Sequence, residues 1–556
     1  MDSKNNNNKA AIAASTYEIG RSDSDSDNST VNSSQKIDSS EQVVPTDSEK
    51  YFATVRSSES LSVSSQKPQY FSSKLHEWAF IFTCLMGQLL NQAGTTQSMS
   101  IMNIIAEDFG SETSKQAWLF ASFPLVSGSF ILVGGRFGDI YGLKKMLLLG
   151  YAILTIWSII CGLTHYTHSD DFFIVAKAFQ GLGVSFILPN IIGLVGTIYE
   201  PGSMKKNITI SFIGAMAPLG ATFGGLFSGI VVVKDDKNWP WTFYAFAIVS
   251  FLVGVTCYFF VPDNVPTNTN NLKMDWIGSA VGVVGLLLFS FVWNQAPMDG
   301  WDKAYIIVLL VISVILIIAF FIYEINYAEV PLLPKAITGN RHIIMILLAI
   351  FMGWGTFGIW SFYYFSFSLN LRHFSPVWTG GAYFAFILSG FTIASCVGFL
   401  IKIIRPSIIL VISITGFTMG NLIFAVTPAD QTYWRNTFGM MLLLPLGMDL
   451  SFPASSIILS DQLPPEYQGM AGSLVNTMVN YSQSFCLGVA TTVEKQINSS
   501  GDDLLKGYRA AFYTGVGIGT LGISIASLYM FETFWTDYKE KTKLANDIES
   551  SIERTG

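Results

Sequence analysis

Residues 135–163 read GRFGDIYGLKKMLLLGYAILTIWSIICGL. A polar turn carrying Asp139, Lys144 and Lys145 gives way to Met146–Leu163, which holds no charged residue. An unbroken apolar run of roughly 20 residues is what a helix needs to cross a hydrocarbon core of about 30 Å. Gly135 lets helices approach closely, and Gly142 permits the left-handed backbone of a tight turn. A second run, Ile306–Tyr323, is equally free of charge. Working outward by the same standard, helices fall near 78–101, 116–136, 146–165, 172–198, 207–233 and 241–262. The series continues near 275–296, 304–327, 342–367, 376–401, 406–427, 436–460, 467–493 and 509–534. The expected fold class is therefore an all-α integral membrane protein of about fourteen transmembrane helices.

Composition agrees. Half of the 556 residues are apolar and only 13% are charged, whereas a soluble chain carries about 25%. Residues 1–76 differ, being rich in Ser, Asn, Asp and Lys without a long apolar run. Such a segment cannot bury enough surface to offset its ordering entropy, so a disordered tail is expected. It lacks the basic-then-apolar opening of a signal peptide. An even number of spans puts both tails on one side. Lys and Arg enrichment in the first-half loops, with Lys539, Lys541 and Lys543 near the C-terminus, places that side in the cytosol. Asn498, in an Asn-Ser-Ser sequon between the last two spans, then lies outside as a glycosylation candidate. The net charge of −7 says little about partners in a chain largely within lipid, and no basic block suggests nucleic acid. Cys84, Cys161, Cys257, Cys396 and Cys486 stand singly in apolar segments, and buried free thiols are expected. There is no Gly-Lys dipeptide, G-x-S-x-G or HExxH, so no catalytic site, cofactor or metal is expected.

Polar residues inside the apolar segments carry the functional signal, because lipid cannot satisfy them. The first segment places Gln88, Asn91, Gln92, Thr95 and Thr96 along one helix face. The thirteenth carries Asn476, Asn480 and Gln483. Such groups either line a watered cavity or hydrogen-bond between helices. The fourth contains KAFQGLGVSF, 177–186, in which Lys177 either snorkels to headgroups or serves as an intramembrane cation. The fifth reads GAMAPLGATFGGLFSG, 214–229, where Pro218 bends the helix and Gly220, Gly224 and Gly225 allow close packing. Asp449 lies about 16 Å into the twelfth segment by helix rise, near the middle of the hydrocarbon.

The 135–145 loop resembles the signature loop of the major facilitator superfamily, with Ile140 and Leu143 where basic residues are usual. KAFQGLG resembles its second motif, with Lys in place of Arg, and the Pro218 stretch resembles its antiporter motif, with Ala217–Pro218 for Gly-Pro. The fourteen-span count points to the drug:proton antiporter branch. LLNQAGTTQSMSIMNI, MDWIGS, FVWNQAP and GMDLSFPASSIILSDQLPPEYQGMAGSLVN are similar to fungal aminotriazole-resistance and boron-efflux transporters. This likeness runs over nearly all of 77–535. It implies a cytosolic tail at 1–76, six-helix bundles at 77–263 and 335–535, two central helices at 264–334 and a tail at 536–556. It also implies a cavity lined by the first, fourth, ninth and twelfth helices. Gln88, Asn91, Gln92, Gln180, Trp354 and Trp360 are then substrate-cavity candidates, and Asp449 with Lys177 a proton-coupling pair. Gly135, Asp139, Gly142, Lys144 and Lys145 would form the conformational loop, with Asp139 docking on the thirteenth helix. The implied function is export of small toxic compounds in exchange for protons, aminotriazole and boric acid or borate leading. The implied protein is a monomer in the plasma membrane, with the vacuolar membrane as alternative. Import of a small nutrient, or a transporter-like sensor, are the competing readings.

Overall fold

The computed structural model describes residues 70–111, 115–200, 203–268, 272–463 and 468–555. The expectation of a disordered N-terminal tail falls largely outside them. The described residues form helices and turns, with no strand. The long helices are α1 Lys74–Thr96, α2 Gln116–Tyr141, α3 Leu143–Leu163, α4 Asp170–Ile198, α5 Met204–Val231, α6 Pro240–Phe260 and α7 Trp276–Asp299. They continue with α8 Ala304–Asn326, α9 Arg341–Ser366, α10 Phe384–Ile403, α11 Pro406–Ala425, α12 Asn436–Gln462, α13 Gln468–Ile497 and α14 Leu504–Thr555. Among the described residues, twelve helices are long and apolar enough to cross a membrane. Those outside the twelve, α1 and α13, are as long but carry the polar stripes read in the sequence.

Packing follows the placement of small and polar residues. α1 lies on α5, α2 on α4, α3 on α4 and α6; farther along, α9 packs on α13 and α14, and α11 on α12. α2 also packs along α13, with the Gly128 Cα edge against the Tyr481 backbone. The α7–α8 hairpin rests on α2 and α13, held by Tyr481 Oη donating to the Leu286 carbonyl (2.8 Å) and Trp118 Nε1 donating to Gln295 Oε1 (2.9 Å). The outer face of α8 exposes Val311, Ile315, Ile318 and Ile322, a surface that only a hydrocarbon solvent accommodates.

Three expectations need correction. The first helix ends at Thr96 rather than near 101, followed by a turn and a short helix, Met102–Phe109. There Gln97 Nε2 donates to the Gly94 carbonyl and Ser98 Oγ to the Leu119 carbonyl, and such side-chain bonds compete with the helix ladder. The last helix does not stop near 534 but runs to Thr555. Its extension holds three Lys and three Glu, good helix formers, and is stapled by the Arg405–Asp537 ion pair (2.6 Å), just beyond the Arg341–Glu532 pair (3.1 Å). Finally, Cys396 is exposed on α10, whereas the other four cysteines are buried free thiols.

Candidate functional site

A cavity of about 750 Å³ lies where α2 and α4 end and α5 begins. Its wall combines Arg136 and Asp139 of α2, Lys206 and Asn207 of α5, Ser456 of α12 and Ser473 of α13. Gly135 and Asp139 are the members of the predicted loop that line it. Gly142 makes the turn at φ +109°, in the region that favours glycine. Lys144 is turned away, paired with Asp263 at 2.6 Å, and Lys145 is exposed. The antiparallel register that sets Gly128 against Tyr481 and Gly135 against Ser473 brings residue 139 level with the first turn of α13.

The opposite end is closed. A directional amide chain runs there from Gln116 Nε2 to Asn103 Oδ1 (3.1 Å), from Asn103 Nδ2 to Asn370 Oδ1 (2.7 Å) and from Asn370 Nδ2 to Tyr508 Oη (2.9 Å). It links the short helix after α1 to the turn after α9. Nearby, Thr222 Oγ1 donates to the Tyr383 carbonyl at 3.3 Å, and α5 packs on residues 376–381. The α5 motif explains this contact. A Cβ on Gly224 would lie 2.5 Å from the Ala93 carbonyl and Thr96 Oγ1 of α1, and one on Gly220 would strike the Leu89 carbonyl. Gly225 faces the other way, close to Gly380. Pro218 packs on Gly390 of α10. At the same end, Lys115 donates to Asp170 and Asp171 at 2.9 and 3.2 Å, and the Asp170 carboxylate holds this ammonium above its ordinary range.

Between cavity and closure lie the sequence candidates, in two separate places. Lys177 is fully buried, its Nζ donating to the Gly94 carbonyl at 2.6 Å beneath the Phe123 ring (4.9 Å) and the Phe243 ring (5.8 Å). Ring faces and a carbonyl are the contacts that stabilise a cation without a counter-ion. Gln180 joins the same cluster, donating to Ser158 Oγ (2.8 Å) and accepting from Gln97 (3.3 Å). On α1, Asn91, Gln92, Thr95 and Thr96 are buried and Gln88 half-buried. Thr96 Oγ1 donates to the Ala221 carbonyl of α5 at 2.9 Å, which makes it a packing contact.

Asp449 is 2% exposed, and neither carboxylate oxygen has a hydrogen-bond partner among the described residues. It stands one helical turn beyond Pro453, a cavity-lining residue, and its Oδ2 fills the space left by Gly390. The expected pairing with Lys177 is absent in this conformation: no ion pair of Asp449 occurs among the described residues, and the Lys177 amine is committed to Gly94. Trp354 Nε1 donates to Ser451 Oγ (3.0 Å) and Trp360 Nε1 to Met440 Sδ (3.0 Å), both in the packed interior rather than on the cavity wall. Asn498 accepts from the Asp503 amide at 3.1 Å in the α13–α14 turn. The sequence reading missed Lys206, Asn207, Ser456 and Ser473 of the cavity wall. Ser456 and Ser460, one turn apart and following Asp449, were the available signal.

The comparisons with known proteins agree with this architecture. Residues 84–486 match the Major Facilitator Superfamily. An uncharacterized transporter of Saccharomyces cerevisiae is 58% identical over 502 residues, covering 90% of this chain and 93% of that one. The aminotriazole resistance protein of the same yeast is 57% identical over 469 residues (84% and 86%). Its low affinity ammonium transporter is 39% identical over 484 residues (86% and 93%). Among solved structures, a POT family transporter in complex with a thioalcohol-conjugated peptide aligns with a TM-score of 0.61 at 14% identity, over 82% of this chain and 95% of that one. Family match, close relatives and helical architecture together make this chain a membrane transporter of the major facilitator superfamily.

Proposed function

We propose that the protein exports small toxic compounds in exchange for protons by alternating access, with aminotriazole and boric acid or borate as leading substrates. The observation that carries this reading is the one-sided cavity, closed at its far end by the Asn103–Asn370 bridge, with the unpartnered Asp449 just beyond its wall. An isolated charge in the membrane interior is costly, so proton occupancy of Asp449 and solvent access to it must change together, which is the requirement of coupling. Lys177 is the second charged group, reached when the cavity opens toward the other side. We assign α1 and α13 as spans too, giving fourteen. Residues 77–263 and 335–535 then form the two six-helix halves, with 264–334 as the central pair and both tails cytosolic. With that orientation the structure faces inward, and Asp139 docks on α13 to latch the opposite, outward-open state. The 57% identity to an aminotriazole resistance protein supports the substrate class. We place the protein in the plasma membrane as a monomer.

Flux of labelled aminotriazole and boric acid into everted vesicles, with and without an imposed proton gradient, tests this reading. Gradient-dependent uptake of at least one compound is expected; uptake of neither, in vesicles with intact protein, overturns it. The second reading, proton-coupled import of a small nutrient, draws on the 39% identical low affinity ammonium transporter. Ammonium-type substrate entering right-side-out vesicles, with no export of the toxic compounds, would favour it.

A further inference from the structure

α8 is the most lipid-exposed of the spans, and only Ile306, Ser313 and Glu324 are buried on it. Glu324 is 2% exposed, unusual for a carboxyl facing the protein interior near a membrane boundary. Its Oε2 accepts the Leu333 amide of the linker after α8 at 3.2 Å. Its Oε1 is buried and has no partner among the described residues. Across from it stands Asp275, the N-cap of α7, whose Oδ1 accepts the Gly278 amide at 2.9 Å and whose Oδ2 is likewise buried without a partner. Both free oxygens converge on one spot: a Cβ on Gly278 would strike Asp275 Oδ2 and lie 2.5 Å from Glu324 Oε1. Both oxygens flank the same point beside Gly278, which brings the two carboxyl groups close together.

Two buried carboxylates this close repel each other when both are ionised, and a single shared proton turns that repulsion into a hydrogen bond. Among the described residues no Lys, Arg or His forms an ion pair with either group. The titratable groups that act on the pair are Tyr323 of α8, beside Asp275, and Glu329 of the linker, which acts on Tyr323. From α2, Phe130, Val133 and Phe137 pack with Leu332 and Met274, and the charged Arg136 and Asp139 line the same cavity as Leu332.

We propose that Asp275 and Glu324 form a proton-binding site, one proton shared between them, which fastens the α7–α8 hairpin and its linker beside the transport cavity. The carboxyl that holds the proton donates to the other carboxylate. Loss of that proton leaves two anions in contact and loosens the linker, whose Leu332 is part of the cavity wall. The site is separate from Asp449 and does not depend on the substrate or direction of transport. Its consequence is that pH on the cavity-open face sets how firmly this wall is held.

The test uses the full-length protein in lipid nanodiscs, with amide hydrogen exchange of residues 327–334 followed from pH 6 to pH 9 and corrected for the intrinsic chemical rate. Wild type is expected to lose protection of the linker by about tenfold or more as the pair gives up its proton. Glu324→Gln keeps an acceptor for Leu333 and donates its amide to Asp275 without a titrating proton, so its exchange should be flat with pH. Asp275→Asn, also a good N-cap, should flatten it independently should the first variant fail to fold. Infrared spectra should show a protonated-carboxyl band in wild type that Glu324→Gln lacks. Equal pH dependence in wild type and both variants, or no such band, overturns the proposal. So does linker protection that responds to sodium or potassium chloride but not to pH, which would make the pair a metal-cation site.

Discussion

The Asn103–Asn370 bridge joins the segment after α1 to the segment after α9, so it exists only while that end is closed. Asn103→Ala removes it and leaves Asn370 Oδ1 without its 2.7 Å donor. The neighbouring Gln116–Asn103 bond joins residues only 13 apart in the first half of the chain, so its loss is expected to bias the two orientations far less. One amide–amide hydrogen bond contributes about 1 kcal/mol net, and an acceptor left unsatisfied in a half-buried site adds to that. A shift of about 1.4 kcal/mol, or tenfold in the ratio of the two orientations, follows. Ser366, buried and four residues before Asn370, gives a near-isosteric reporter as Ser366→Cys. With the exposed Cys396 replaced by Ser, an impermeant thiol reagent applied from the closed side reads the minor open population. Adding Asn103→Ala should raise the labelling rate about tenfold, while Gln116→Ala should raise it far less. Equal rates in the Asn103→Ala variant and its parent would refute the assignment of this bridge as the closure.

Three further outcomes are expected. Asp449→Asn should bind substrate and still exchange it between compartments, yet lose accumulation driven by a proton gradient; for a one-for-one exchange that gradient is worth about tenfold in concentration per pH unit. Gradient dependence unchanged in this variant would remove Asp449 from the coupling. Gly224→Val must push α5 off α1, since any Cβ there meets the Ala93 carbonyl and Thr96 at 2.5 Å; a loss of about 1–3 kcal/mol is expected. Gly214→Ala, in open space, should leave the thermal midpoint unchanged, and equal midpoints for the two variants would contradict the close-packing argument. A tag on the N-terminus should be protected from protease in intact cells and cleaved after permeabilisation; cleavage in intact cells would reverse the topology.

How much of this was legible in the sequence depended on whether a residue's role is local. Helix positions were, because an apolar run long enough to span hydrocarbon is a property of consecutive residues, and the charge-free runs at 146–163 and 306–323 needed no context. The α5 motif was legible for a related reason: small residues at 220, 224 and 225 state that something comes close, although only the structure shows α1 on one side and Gly380 on the other. Helix ends were less so. Nothing in Thr95-Thr96-Gln97-Ser98 marks a stop until Gln97 finds Gly94 and Gln180, and Ser98 finds Leu119.

The polar candidates divide along the same line. Buried polarity could be read from Asn91, Lys177, Gln180 and Asp449, since lipid admits no other placement. What each one touches could not. Lys177 was expected to face an acid, and it settles instead on a carbonyl and two aromatic rings contributed by α1, α2 and α6, from three distant parts of the chain. Glu324 shows the converse. In sequence it stands at the end of an apolar run, where a charged residue ordinarily meets water, so nothing singles it out. Only the return of the chain from α7 into α8 sets it against Asp275, 49 residues earlier. An acid at a helix end is therefore silent in sequence unless a second acid can be placed beside it. In this transporter that placement is the work of the α7–α8 hairpin, whose second helix is the most apolar of the twelve candidate spans among the described residues.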